Sequence, residues 1–448
     1  MSAAPQRVII VGGGPTGMTA AHALTRAGID FVLLEGRHEI ALDAGCNLVL
    51  SSMGMRALGQ LGLLPALKKV SSPVTKFQRL DHKGRDIGDT MFFTYIQQSH
   101  GYYPRVFSRY NLMQVFYDNL PAEVRSKTLA NKKVSDIRST EHGVVVECAD
   151  GTSYEGCMVI GADGAYSVVR KYMRELALKD EQRANTEAFV NEEKPFLTTY
   201  RCFWIRFPVL PGLKVGDAFE THGPNMATQF FVGEDSAVVG IYERLDEPTR
   251  DPRRCTVVDE KPFVEKWGNL PLTKGTTLTI AEAYAQKMDA GFINLEEGVV
   301  KHWSWGGRMV LAGDAAHKFT PSTGAGCNEG IIDIVVLANH LRRAFSSGAP
   351  SPDKLNAAFK EYQDARYELA TFGCKLAGNT TAAATWPNAI YKFLDLRVFS
   401  SKMIQKFFIN QGVATTAQTP VFDYIEGEEE IVGKVPWVHA IPSRTQIV

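Results

Sequence analysis

The sequence predicts an α/β fold: a parallel sheet covered by helices, interrupted by an inserted antiparallel β-sheet domain and followed by a helical C-terminal region. Three observations predict it. The chain opens on a β-branched run, a glycine-rich turn and a helical pattern. Strand-like runs separated by turns rich in Pro, Gly and Asp fill residues 176–300. From Pro352 to about Phe408 the apolar spacing is helical.

The first stretch, Arg7 to Glu35, organises the rest. Arg7-Val-Ile-Ile-Val11 reads as a buried parallel strand. Gly12, Gly14 and Gly17 then supply G-x-G-x-x-G, Pro15 falls in the first helical turn, and Gly28 ends the helix. Phe31-Val-Leu-Leu34 is a second strand, ending on Glu35. In this pattern the first glycine allows the tight turn. The second lets a pyrophosphate approach the backbone, and the third lets helix pack on strand. The helix N-terminus offers unpaired N–H groups to the phosphates. Glu35, eighteen residues past Gly17, lies where a carboxylate accepts from a ribose hydroxyl and repels a 2′-phosphate. A Rossmann-like site that excludes NADP is expected here.

Gly36 to Gly45 reads as a loop, and Leu48 to Leu67 has helical spacing. Phe77 to Thr90 reads as a hairpin turning at His82-Lys-Gly84. Ser108 is a good N-cap for a helix in which Leu112, Phe116 and Leu120 recur. Arg109 sits in its first turn, where the apolar face does not need it. Val134 to Tyr154 reads as a three-stranded meander. Cys157-Met-Val-Ile160 is another buried strand, leading into Gly161-Ala-Asp163-Gly164. Leu197–Phe207, Met226–Val232 and Ala237–Leu245 are strands of the inserted domain. At Arg308-Met-Val-Leu-Ala312 the chain returns to the first sheet. Gly313-Asp314, His317, Pro321, Gly324 and Gly326 follow, before a long helix from about Asn328 to Phe345. The expected divisions are 1–175, 176–300, 301–345 and 346–448: first part of the nucleotide domain, substrate-binding sheet, return of the nucleotide domain, and helical region.

Composition narrows the function. Lys+Arg and Asp+Glu are equal at 49 each, so charge gives no argument for nucleic acid. The seven cysteines are scattered singly. That count argues for reduced thiols in a reducing compartment and against a zinc site or disulfide framework. The N-terminus runs almost directly into the first strand, so no signal peptide is expected. No apolar run approaches the roughly 20 residues of a membrane span. A cytoplasmic protein is expected, with weak membrane association left open.

Three motifs stand in order: Gly12-x-Gly14-x-x-Gly17 with Glu35, Gly161-Ala-Asp163-Gly164, and Leu311-Ala-Gly313-Asp314-Ala-Ala-His317. As a set, across residues 7–345, they resemble the single-component (class A) FAD-dependent aromatic monooxygenases, which include para-hydroxybenzoate and salicylate hydroxylases. His317-Lys-Phe-Thr-Pro321, Gly324-x-Gly326-x-Asn328 and Tyr200-Arg201 are similar to the fungal branch that makes indole-diterpene, meroterpenoid and prenylated indole-alkaloid epoxides. The resemblance implies a para-hydroxybenzoate hydroxylase-like fold and site roles. Glu35 holds the adenosine ribose, and Arg109 reaches the FAD. Asp163 and Gly164 lie near the pyrophosphate and the path of NADPH. Asp314 accepts from the ribityl chain. Pro321, Gly324, Gly326 and Asn328 line the flavin ring, with Gly45 on its other side. One departure is visible. The family's long helix continues with an Ala and a Glu-Asp pair, where this chain reads Gly330-Ile-Ile-Asp333.

The implied activity is monooxygenation. NADPH or NADH reduces the FAD, O₂ adds at C4a, and the terminal oxygen of the hydroperoxide goes to an electron-rich π bond of an apolar natural-product intermediate, by epoxidation or hydroxylation. The N-terminus of the helix near Gly324–Asn328 favours anionic reduced flavin by roughly 0.3–2 kcal/mol. The alternatives are a phenol- or salicylate-type hydroxylase, a flavin oxidase or dehydrogenase, and a flavin-binding protein without turnover. No second G-x-G-x-x-G follows a strand, so no separate nicotinamide domain is expected. Trp303 and Trp305 read as packing residues, and His317 as a capping or packing residue. Arg201 is the expected catalytic residue. It is the single charge on the face Leu197, Thr199, Arg201, Phe203, Ile205, Phe207, and a buried guanidinium needs a partner. Either it points into the cavity above the flavin and steadies a developing alkoxide, or it pairs with a carboxylate elsewhere.

Overall fold

A computed structural model of the chain describes residues 6–42, 47–180, 190–275 and 278–443. Gly45 lies outside the described residues.

Val8–Val11 is buried at every position, as a four-residue apolar strand with layers on both faces must be. It pairs in parallel with Phe31–Leu34 and with Met158–Gly161, which in turn pairs in parallel with Met309–Leu311. Thr128–Leu129 and Ser304–Trp305 extend the two edges, giving a six-stranded sheet. The helix Pro15–Ala27 crosses from the first strand to the second. Gly28 closes it in a left-handed conformation, with its N–H directed at the carbonyls of Leu24 and Thr25. Arg109–Asp118 begins as expected, with Asn111 N–H donating to Ser108 Oγ at 3.1 Å. Val134–Ser139, Val144–Cys148 and Ser153–Gly156 form the expected antiparallel meander.

The second sheet has seven strands: His317–Lys318, Asp289–Val299, Leu197–Phe207, Ala237–Thr249, Met226–Val232, Ala218–Gly223 and Gln78–Asp81, in that order. The last of these gives the expected hairpin a second partner. Phe77 and Leu80 do bridge Thr90 and Asp86, but Gln78–Asp81 also pairs in parallel with Ala218–Gly223, 137 or more residues away. Local turn chemistry marks the bend at Gly84 and says nothing of that distant partner. Leu48–Leu50 likewise starts as a strand against Arg105–Phe107, and the helix begins only at Ser52.

One face of the seven-stranded sheet packs on two short helices, Glu260–Trp267 and Ile280–Ala285. Phe203, Ile205, Phe207 and Phe230 are fully buried there with Leu272 and Ile280. The other face carries Tyr200, Cys202, Trp204, Tyr242 and Leu295. It meets the long helix Pro352–Thr385, where Tyr200 Oη lies 3.2 Å from Thr385 Oγ1. The helix Ala325–Ala344 runs through the main core and is buried along most of its length. Residues 418–443 carry no regular helix or strand, in keeping with their irregular sequence.

Candidate active site

The three glycines of the first turn sit in three different environments. Gly12 has φ +104°, and a Cβ there would stand 2.3 Å from the Ala162 carbonyl oxygen. A Cβ on Gly17 would stand 1.9 Å from the Gly12 oxygen, so helix and strand touch through backbone alone. A Cβ on Gly14 would meet nothing within 4 Å among the described residues. That open ground lies at the N-terminus of Pro15–Ala27, where N–H groups are unpaired. Glu35 closes the turn. Its carboxylate accepts from Gly13 N–H at 2.7 Å and from Arg37 N–H at 2.8 Å.

Asp163 follows the strand Met158–Gly161. Its Oδ2 accepts from Val168 and Val169 N–H at 2.7 and 3.1 Å, capping the helix Val168–Lys179. Its Oδ1 is buried and accepts no hydrogen bond among the described residues. Burial pushes its carboxyl above the ordinary carboxylate range. Gly164 beside it has φ +80°, and a Cβ there would meet nothing within 4 Å among the described residues. Arg109 lies within electrostatic reach of Glu35 and Asp314. It has no hydrogen bond or ion pair among the described residues, while the charges of Arg37, Asp314 and Glu35 bear on it. Burial lowers its pKa. A buried acceptor, and a guanidinium without a partner among the described residues, are each costly to leave unmatched. The donor set fits a dinucleotide: backbone N–H groups and a cation for phosphates, carboxylates for hydroxyls.

The return strand Met309–Leu311 delivers the third motif. Gly313 has φ +61°, and a Cβ there would lie 2.5 Å from Thr16 Oγ1. Asp314 is half-exposed and pairs with Lys318 Nζ at 3.2 Å. Pro321–Thr323 forms a tight turn that Gly324 ends at φ +64°. Gly326 begins the long helix opposite Asp314, whose Oδ1 would lie 3.8 Å from a Cβ at that position. Asn328 is buried and fully engaged: its amide donates to Val49 and Gly324 carbonyls and accepts from Ser51 N–H and hydroxyl. It ties the strand Leu48–Leu50 to the helix start.

Sequence reasoning missed what lies beneath this turn. Asp333 is sealed from solvent. It accepts from Gly313 N–H at 2.9 Å, pairs with His317 Nε2 at 2.6 Å, and accepts from Arg366 Nε at 2.9 Å. Arg366 also pairs with Glu329. Burial opposes ionisation of Asp333, and the charges of His317 and Arg366 outweigh it, holding the carboxyl well below its usual range. The departure noted in the sequence has a packing reason. Gly330 replaces the expected Ala, and a Cβ there would lie 2.4 Å from Thr16 Oγ1. Ile332 replaces the expected Glu and is buried in the core. His317 and Trp303 have the packing roles expected of them: both are fully buried, 5.3 Å apart ring to ring.

Arg201 requires a correction. Its Nε donates to Glu243 Oε2 at 2.6 Å, its cross-strand neighbour, and its guanidinium lies 5.8 Å from the Phe263 ring. It therefore belongs to the sheet face packed on Glu260–Trp267, in the paired alternative rather than in a cavity above the flavin. The other face meets the Pro321 turn. Glu220, Gln229, Gly240 and Trp204 are consecutive cross-strand neighbours, so they share that face. Gln229 Nε2 donates to the Ser322 carbonyl at 3.0 Å and to Glu220 Oε1 at 2.8 Å, and Tyr242 Oη donates to Gln229 Oε1 at 3.0 Å. The row continues from Glu220 to His222 and on to Asp395, which also holds Arg79 and Trp386. A polar chain thus runs from the turn to the C-terminal helices.

Comparison with known proteins agrees with this geometry. Residues 6–291 and 277–370 match the FAD binding domain family. The FAD-dependent monooxygenase DEP2 of Alternaria brassicicola is 30% identical over 452 residues, covering 98% of this chain and 83% of that protein. The FAD-dependent monooxygenase verC1 of Penicillium polonicum is 30% identical over 88% of this chain, which spans only 49% of its length. Among solved structures, p-nitrophenol 4-monooxygenase PnpA of Pseudomonas putida DLL-E4 shares the fold, with a TM-score of 0.71 at 19% identity over 92% of this chain and 98% of that one. The chain belongs to the FAD-dependent monooxygenases, with FAD as its cofactor.

Proposed function

We propose that this protein uses NAD(P)H and O₂ to place one oxygen atom on an electron-rich π bond of an apolar natural-product intermediate, such as a prenylated indole alkaloid or a terpenoid, by epoxidation or hydroxylation. FAD, when bound, supplies the acceptance of hydride and the activation of O₂. The chain's own residues supply the rest. Gly12, Gly14, Gly17 and the helix behind them take the pyrophosphate. Glu35 takes the adenosine ribose, and Arg109, Asp163 and Gly164 face the phosphates. Gly313, Asp314, Pro321, Gly324, Gly326 and Asn328 form the frame on one side of the flavin, with Gly45 assigned to the other. The sheet within residues 176–300 supplies the substrate side.

The observation that carries the apolar-substrate reading is the sheet face at the Ser322 turn. Tyr200, Cys202, Trp204, Tyr242 and Leu295 are its buried residues, and Gln229 is the polar side chain that reaches the turn. Such a face excludes water and orients a largely apolar molecule through a few polar contacts. The test is turnover with isotopically labelled O₂, NADPH and a panel of prenylated indoles and terpenoids. Label in the product, with NADPH consumed in proportion, is the expected result. Stoichiometric peroxide with no labelled product across the panel would return the protein to the oxidases.

A further inference from the structure

We infer that the C-terminal helices carry a docking surface for an anionic lipid bilayer. The helix Lys402–Ala417 buries Gln405, Ile409, Val413 and Ala417 and turns Met403, Phe407 and Phe408 outward. A globular helix normally keeps such side chains inside. The preceding short helix Ala389–Phe393 exposes Ile390 and Phe393 in the same way. Exposure of these five residues runs from 53% at Phe408 to 79% at Met403. The two helices meet through aromatic rings: Phe408 stands 5.7 Å from Phe407 and 6.1 Å from Phe399, which follows the helical segment Leu394–Val398.

Charge identifies the occupant. Residues 387–418 contain four cations, Lys392, Arg397, Lys402 and Lys406, and all are exposed. Their single acid, Asp395, is buried and paired with Arg79 and His222, so it does not face the surface. The whole chain has zero net charge, which makes this a local concentration of positive charge. Exposed apolar side chains interspersed along the segment with exposed cations match acyl chains beneath anionic headgroups. Lysine stems lying along apolar ground with their ammonium groups at the phosphate level complete the match. The core of a protein–protein interface is depleted in lysine, and three of these four cations are lysines. No helix among the described residues is long and apolar enough to cross a membrane, so the contact lies in the interface plane. The underside of the same segment holds His222 through Asp395. The segment that carries the docking face therefore also holds one end of the polar chain that reaches Ser322.

The test is co-sedimentation of the full FAD-loaded chain with vesicles of phosphatidylcholine alone and of phosphatidylcholine mixed with phosphatidylserine. The wild type should bind the mixed vesicles about tenfold or more tightly than the neutral ones at low salt, and lose that preference at high salt. Combining Phe393→Ser with Phe407→Ser should weaken binding to both vesicles about tenfold while retaining the yellow flavin. Combining Lys402→Glu with Lys406→Glu should remove the preference for phosphatidylserine alone. A wild type that stays in the supernatant with both vesicles overturns the proposal. So does a wild-type dimer in size-exclusion chromatography that Phe393→Ser with Phe407→Ser converts to monomer, which would assign the face to a second copy of the chain.

Discussion

Asp333 and His317, both sealed from solvent, meet at 2.6 Å directly behind the Gly313 turn. The same carboxylate oxygen takes the Gly313 N–H, so the turn that presents Asp314 is held from below by a buried charge. Removing one partner of such a group leaves the others uncompensated. Asp333→Ala should lower unfolding free energy by about 3–5 kcal/mol, read as a shift in the denaturant midpoint. FAD should also dissociate more readily from whatever protein folds. Unchanged stability and flavin retention would show the network to be idle.

Arg109 has the opposite signature: a largely desolvated cation with no partner among the described residues. Arg109→Ala should leave the apoprotein as stable as the wild type or more so. It should weaken FAD binding about tenfold to a hundredfold, the scale of one charged hydrogen bond. Fluorescence titration of the apoprotein with FAD checks this. A loss of apoprotein stability with unaltered FAD affinity would make Arg109 a packing residue.

Glu35→Lys removes the acceptor of two backbone N–H groups and places a cation in the first turn. Retention of flavin under dilution should fall. Preference between NADH and NADPH should stay where it was, since the carboxylate is assigned to FAD. A switch in nicotinamide preference in steady-state kinetics would contradict that assignment.

Arg201→Ala should act on stability rather than chemistry. Glu243 keeps Lys266 Nζ at 2.7 Å and Trp267 Nε1 at 3.0 Å, so the loss is about 1–2 kcal/mol. Turnover per folded, flavin-loaded molecule should remain within a few fold of wild type. Glu243→Ala should cost more, because three donors lose one acceptor. A hundredfold drop in turnover by well-folded Arg201→Ala would restore it to the catalytic machinery.

His222 gives a pH signature. Burial opposes its protonation, the Asp395 carboxylate outweighs burial, and its pKa is raised above 6.5. Burial likewise opposes ionisation of Asp395, and His222 with Arg79 lowers its pKa. The imidazolium therefore adds stability that is complete below pH 6.5 and fades as pH rises through the raised value. The carboxylate adds stability above its ordinary range, lost as pH falls through the lowered value. The wild-type unfolding midpoint should decline as pH climbs above 6.5. His222→Gln should lack that decline, and an identical decline in the variant would remove His222 as its source.

The sequence by itself determined the nucleotide half of this protein. Its signals are local: Gly12, Gly14 and Gly17 act within one βα turn, Ser108 caps its own helix, and Glu35 ends the very next strand. Each works through backbone conformation and spacing along a few residues, which one chain displays directly. Tertiary structure decided what depends on long-range pairing. Alternation put Arg201 and Trp204 on opposite faces of one strand, as the sequence shows. Which face meets the flavin frame depended on where Glu260–Trp267 and the Ser322 turn pack. The partners of Asp333 come from Gly313, His317 and Arg366, spread over 54 residues with no common spacing. The strand Gln78–Asp81 joins a sheet built mostly after residue 196. A desolvated charge needs a partner wherever the fold can bring one, and sequence distance does not enter that requirement.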